Sequence, residues 1–203
     1  MTRPSALERA PLVEAEDAKT WRHWLEAHHA DGSGAWLVTW KPGHGHGVLE
    51  YEAAVEEALC FGWVDGQVRP GAPGRSRLYF AARRPQSPWA ASNRSRVERL
   101  IAECRMRPAG LAVVEAAKAN GGWDRLAESE RGVVPEDLAA ALAAHPPAAE
   151  RFAAFPPGTQ RMILAWIATA KRPATRAARI ERTATLAQRD LRANEWRMGT
   201  PRD

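Results

Sequence analysis

The stretch YEAAVEEALCFGWVDG, residues Tyr51–Gly66, decides the fold. Its first part places Ala54, Val55, Ala58 and Leu59 on one inward-facing helical stripe. Gly62 can end that helix, because glycine tolerates the backbone conformations at which helices stop. Trp63–Val68 then reads as a strand. A helix that runs straight into a strand points to a mixed α and β architecture.

Working outward, the same two patterns recur. Asp17 can cap a helix reaching His29, with Trp21, Trp24, Leu25 and His28 on one face. Ala35–Lys41 (AWLVTWK) is short and rich in β-formers, so it reads as a buried strand, and Pro42–Gly47 as a turn. Arg69–Gly74 is a loop and Arg77–Ala81 a third strand. Residues 83–92 are irregular. A helix follows from Asn93, its N-cap, to Cys104, with Val97, Leu100, Ile101 and Cys104 as its apolar stripe. Another covers Ala109–Ala119. Residues 1–13 read as a frayed lead-in. The expected fold class is α+β: a small antiparallel or mixed sheet packed by helices, followed by an all-helical C-terminal segment.

Residues 124–134 are polar and unpatterned, which places the boundary between a core domain (1–128) and a helical domain (129–203). In the latter, Pro135–Ala144, 148–154, Thr159–Ala170 and Pro173–Arg192 carry helical patterns.

Hydrophobic residues make up 45% and charged residues 26% of the 203, which is ordinary globular usage. The formal net charge is +5, supplied by Arg spread along the chain rather than clustered. Of the two cysteines, Cys60 and Cys104, neither belongs to a CxxC pair, so a reducing compartment is expected. No apolar run is long enough for a membrane span or a signal peptide, and the cytoplasm is the expected location. Trp occurs nine times against four Phe and two Tyr. Such enrichment builds either a Trp-heavy core or an aromatic-walled pocket.

No nucleotide-binding, zinc-protease or nucleophile-elbow motif occurs, and no cofactor or metal is expected. His44-Gly45-His46 reads as a turn. The candidate site is a corner formed by two pieces. The first holds Trp63 and Asp65 beside turn glycines. The second, RRPQSPWAASNRSR (83–96), holds Arg83, Arg84, Ser87, Trp89 and Asn93. Guanidinium forks bind carboxylate or phosphate bidentately, and a helix start adds partial positive charge. The competing reading pins this loop through Arg pairs with Glu56, Glu57 or Asp65. Cys60 lacks a nearby histidine base and reads as a core residue. Arg172, Arg176 and Arg179 form a basic ridge, either a solvated face or an internal anchor.

Five ordered motifs resemble the YdeI/OmpD-associated family, described as bacteriocin-protection proteins. They are the 52–66 string with LCFGWVDG, R-R-x-x-S-x-W-x-x-x-N at 83–93, M-x-x-A-G at 106–110, the stretch Lys118–Trp123, and W-I-x-x-A-K-R-P-x-T-R-x-x-R-I at 166–180. The resemblance spans roughly residues 15–190. The chain departs from the family's pattern at Ala81-Ala82, at Ala90 and at Ala174, where the family favours Glu; the resemblance therefore does not imply a shared hydroxyl chemistry at Ala81 and Ala90. The resemblance implies a part in antimicrobial tolerance or envelope stress and supplies no reaction. The expected function is a cytoplasmic stress or resistance protein binding a small anionic or aromatic ligand, or a peptide. The alternatives are an enzyme using Asp65 or Cys60, and a basic nucleic-acid binder. Nucleic acid ranks below the small ligand, because the basic ridge lacks interleaved aromatics.

Overall fold

The computed structural model describes residues 6–44 and 46–194; Gly45 of the histidine turn and Trp196 lie outside them. The chain divides into two units. The first runs up to Ser87 and resumes over Ser92–Trp123; the second takes Pro88–Ala91 and the described residues from Asp124 onward.

The first unit contains α1 (Ala6–Arg9), β1 (Leu12–Glu14), α2 (Ala18–His28), β2 (Ala35–Trp40), α3 (Tyr51–Cys60), β3 (Trp63–Pro70), β4 (Arg75–Ala82), α4 (Ala91–Ala102, whose first residue counts with the second unit) and α5 (Pro108–Ala119). Its four strands form a mixed sheet in the order β1-β2-β4-β3, so the fold is α+β. β1 runs parallel to β2, whereas β4 is antiparallel to both β2 and β3. The fourth strand, β1, lies in the stretch read as a lead-in. Only Val13 is buried, between exposed Leu12 and Glu14, and three residues carry too little alternation to announce a strand. The α4 helix starts two residues before Asn93. Cys104 lies beyond its end, exposed and at φ 55°, rather than on its apolar stripe.

Strand alternation gives the sheet two different faces. Ala35 pairs with Phe80 and Leu37 with Leu78 on the side facing the helices. There Trp21 packs on Phe80 and stacks on Trp24, both with centroids 5.3 Å apart. Trp21 Nε1 donates to the Ala54 carbonyl at 3.1 Å, so the indole is buried without losing its hydrogen bond. The other side carries Trp36 opposite Tyr79, Val38 opposite Arg77 and Trp40 opposite Arg75.

α3 presents a row of carboxylates to its helical neighbours. Glu56 and Glu57 are 8% and 6% exposed, so their charge needs partners. Arg22 of α2 donates to Glu57 at 2.5 Å. Arg105, between α4 and α5, donates to Glu56 at 2.9 Å and to Glu57 at 2.8 Å. Arg99 of α4 reaches Glu56 as well. Arg96 closes a bidentate pair on Glu52, both contacts at 2.7 Å. Burial works against the charge on Arg105, but its bonds to Glu57, Glu103 and Glu56 outweigh that and push its pKa above the usual arginine value.

The second unit is helical: α6 (Ala127–Glu130), α7 (Glu136–Ala144), α8 (Ala148–Ala154), α9 (Pro157–Ala168) and α10 (Pro173–Ala187). The α6 turn falls in the segment read as unpatterned. The core joins Leu138, Leu142, Phe152, Phe155, Ile163, Ile167 and Ala184. Two arginines of the basic ridge are internal anchors. Arg176 forms a bidentate pair with Asp137 at 2.7 and 2.9 Å. Arg179 donates to the Trp166 carbonyl, with its guanidinium 4.9 Å from that indole's centroid. Among the described residues, no helix is long and apolar enough to cross a membrane.

Removing one member of a buried ion-pair set leaves its partners charged and unmatched. Glu57→Ala should therefore destabilise the protein by about 3 kcal/mol in chemical denaturation. A loss well under about 1 kcal/mol would show that Arg22 and Arg105 find solvent instead.

Candidate functional site

The residues 60–66 serve first as a joint. The Cys60 carbonyl accepts from Arg107 N at 3.0 Å, and the Gly62 carbonyl accepts from Arg83 N at 2.9 Å. Gly62 sits at φ +77°, where a side chain would be strained and its Cβ would lie 2.7 Å from Val113 Cγ2. A Cβ at Gly110 would lie 2.3 Å from the Cys60 carbonyl oxygen, so only glycine lets α5 approach the end of α3. Two of the sequence motifs, 60–66 and 106–110, thus meet in one packing contact. Trp63 is 1% exposed; its Nε1 donates to the His29 carbonyl at 3.1 Å and its ring meets Trp24 edge-on at 5.9 Å.

Of the remaining candidate residues, Asp65 and Arg83 lie within electrostatic reach of each other. Asp65 is half-buried and accepts from the Tyr51 hydroxyl at 2.9 Å. Burial, then the Asp65 bond, push that hydroxyl above its ordinary pKa. Arg83 is buried, and desolvation drives its pKa down to about 10 while the Asp65 charge opposes the shift. Asn93 accepts from Arg96 at 2.9 Å. Ser87 donates its backbone N–H to Arg84 O at 2.9 Å in a turn, and Asn120 secures this loop by donating to Pro85 O at 2.8 Å. Trp89 is 1% exposed and belongs to the short segment counted with the second unit. There Ala91 N donates to Glu130 at 2.6 Å.

Of this set, Arg84 lines an open cleft. The cleft, of about 460 Å³, is bounded by Arg9, the loop Asp31–Gly34, Tyr79, Ala81, Ala82 and Arg84. Arg9 and Arg84 are exposed, and no carboxylate pairs with either among the described residues. With Tyr79 and Ser33 they give a concavity with two guanidiniums, two hydroxyls and an aromatic edge, facing one acid, Asp31. Such a set recognises an anion bearing a planar apolar body. Sequence reasoning missed Arg9, Ser33 and Tyr79. Arg9 lies in the stretch read as a frayed lead-in, and Ser33 in a loop after the first predicted helix that carries no motif. Tyr79 was hidden because its strand was read without faces, although the alternation Arg75, Arg77, Tyr79 signals them.

A second cleft, of about 330 Å³, lies at the other end of the same face, among Glu14, Glu16, Asp17, Trp40 and Arg75. Here Arg75 sits 4.2 Å from the Trp40 centroid and His46 stacks on Trp40 at 4.0 Å. Glu14 neutralises Arg75. Among the described residues, no group of three or more His, Cys, Asp or Glu is placed to hold a metal ion.

Residues 132–190 match the family described as Bacteriocin-protection, YdeI or OmpD-Associated. Residues 13–113 match another, described as Domain of unknown function (DUF8412). The likeness to the YdeI/OmpD-associated family therefore holds and rests on the C-terminal segment, a shorter span than the five motifs suggested. No curated protein and no solved structure matches the chain.

Cys60 is fully buried, and burial, followed by the Glu57 charge, pushes its thiol above the ordinary range. A thiol held protonated is a poor nucleophile. Mass-spectrometric labelling of the native protein should modify exposed Cys104 promptly and Cys60 only after denaturation. Labelling of Cys60 at a rate near that of Cys104 would restore it as a reactive group.

Proposed function

We propose that the N-terminal unit is a binding module for a small anionic ligand with an aromatic body, held in the cleft between Arg9 and Arg84. The convergence of these two guanidiniums with the Tyr79 and Ser33 hydroxyls carries the reading. Bidentate guanidinium contacts orient a planar carboxylate or a phosphoryl group, and Tyr79 supplies an aromatic edge to the ligand's ring. The corner read from the sequence contributes Arg84 directly. Its other members act as framework: Trp63, Arg83 and Asn93 hold the loop and helices that present Arg84.

The wider role we assign is tolerance of antimicrobial or envelope stress. The description of the family that matches residues 132–190, bacteriocin protection, supports it. Two free cysteines suit a reducing compartment, and we place the protein in the cytoplasm.

Thermal unfolding with phenyl phosphate, 4-hydroxybenzoate or inorganic phosphate as probe tests the site. A ligand that binds only the folded state at about 100 times its Kd adds about 2.7 kcal/mol of stability. At least one of the two aryl anions should raise the Tm of the wild type more than inorganic phosphate does. Arg84→Ala should lose that rise while keeping the unliganded Tm. A rise undiminished in Arg84→Ala, or no rise with either aryl probe, overturns the reading.

A further inference from the structure

From the Arg84 cleft the sheet continues as an uncommon surface. Tyr79 and Ala81 line the cleft at one end, and Glu14, Trp40 and Arg75 line the second cleft at the other. Between them lies Trp36, buried at 3% exposure, with its Nε1 donating to the Leu7 carbonyl of α1 at 2.8 Å. The Arg69 guanidinium sits 5.2 Å from its centroid, that of Arg77 5.8 Å away, and the Tyr79 ring 5.2 Å away. Arginines and half-buried Tyr79 and Trp40 thus interleave along the sheet face opposite α2 and α3, over a buried Trp36.

The charges on this face are arranged at a cost. Arg69 and Arg77 are register partners on adjacent strands, and like charges directly opposite each other destabilise a sheet. Arg75 has Glu14 to neutralise it, but among the described residues neither Arg69 nor Arg77 has a carboxylate. Arg69 donates only to Gln67, at 3.4 Å, and Arg77 to the Pro70 carbonyl, at 3.0 Å. Both guanidiniums lie within cation–π reach of Trp36 and keep N–H groups for an incoming anion.

We propose that this face binds single-stranded nucleic acid, with the Arg84 cleft taking one nucleotide and Arg69 and Arg77 the next phosphates. The charge pattern favours a chain of anions over one anion, because unneutralised guanidiniums occur both in the cleft and along the strands. Half-buried Tyr79 and Trp40, with the planar guanidinium groups beside them, offer stacking surfaces for bases, which a plain polyanion does not use. A duplex presents its bases already stacked, so the single strand is the better fit. This surface is distinct from the C-terminal ridge, whose Arg176 and Arg179 are consumed inside the second unit. The proposal rests on the reading of the cleft as an anion site and adds the partner's class.

Fluorescence anisotropy with labelled oligothymidylate and oligouridylate across a salt series tests it, using the full chain. Wild type should bind at low salt, with affinity falling steeply as salt rises. Arg69→Ala and Arg77→Ala should each weaken binding about tenfold and reduce the log–log salt slope by about 0.7, one phosphate contact each. Both variants should melt no lower than the wild type, since each relieves the facing like charges, and should keep the aryl-phosphate response at Arg84. Arg182→Ala, on exposed α10, should change nothing. No binding by wild type at low salt, or unchanged binding by the double variant, overturns the proposal while the aryl-anion cleft survives. Displacement by inorganic polyphosphate as effective as by unlabelled oligothymidylate also overturns it, because bases would then contribute nothing. Full oligonucleotide binding by Arg84→Ala would instead remove the cleft reading and leave the strand contacts of Arg69 and Arg77 standing.

Discussion

The first unit depends on burying two adjacent carboxylates, Glu56 and Glu57, on a helix whose remaining inward positions are apolar. Buried carboxylates are tolerable only when cations reach them with good geometry. The chain supplies those cations from three directions: Arg22 on α2, Arg99 on α4 and Arg105 between α4 and α5. One set of charges thereby ties two helices, α2 and α4, and the α4–α5 connection to α3. The end of α3 in turn sets the start of β3, and Gly62 passes the chain from one to the other. Each later feature of the unit inherits its position from this arrangement.

That dependence separates framework from surface. The string Cys60–Gly66 and the loop 83–96 look functional because they concentrate Trp, Gly, Arg and Asp. In the folded unit most of those groups are occupied. Gly62 and Gly110 permit close backbone approach, Trp63 is sealed under Trp24, and Arg96 is held by Glu52 and Asn93. The second unit treats its own motif similarly, since Arg176 and Arg179 lock α10 to Asp137 and to Trp166. In the first unit Arg9, Arg69, Arg77 and Arg84 have no carboxylate among the described residues, and no motif singled them out as a group.

The helices and three of the strands were legible because their apolar periods are long enough to be heard above composition. β1 was not, since three residues with one buried member carry no period. The helical C-terminal segment was legible from its Pro and Gly breaks. Arg84 was found through its neighbours in a basic loop. Arg9, Tyr79 and the Arg69–Arg77 pair were not, for a physical reason: they converge only through strand register, and register is set by pairings between segments far apart in sequence. The same blindness made Arg–carboxylate pairs and open arginines indistinguishable in the sequence.

On this account the sheet face opposite α2 and α3, rather than the corner read from the sequence, meets the ligand. Side-chain N–H groups provide built-in reporters. In a nuclear magnetic resonance titration with oligothymidylate, the guanidinium signals of Arg69 and Arg77 and the indole signal of half-buried Trp40 should move, while the indole signals of Trp21 and Trp63, bonded to the Ala54 and His29 carbonyls, should stay in place. Movement of Trp63 with Arg69, Arg77 and Trp40 unchanged would contradict it.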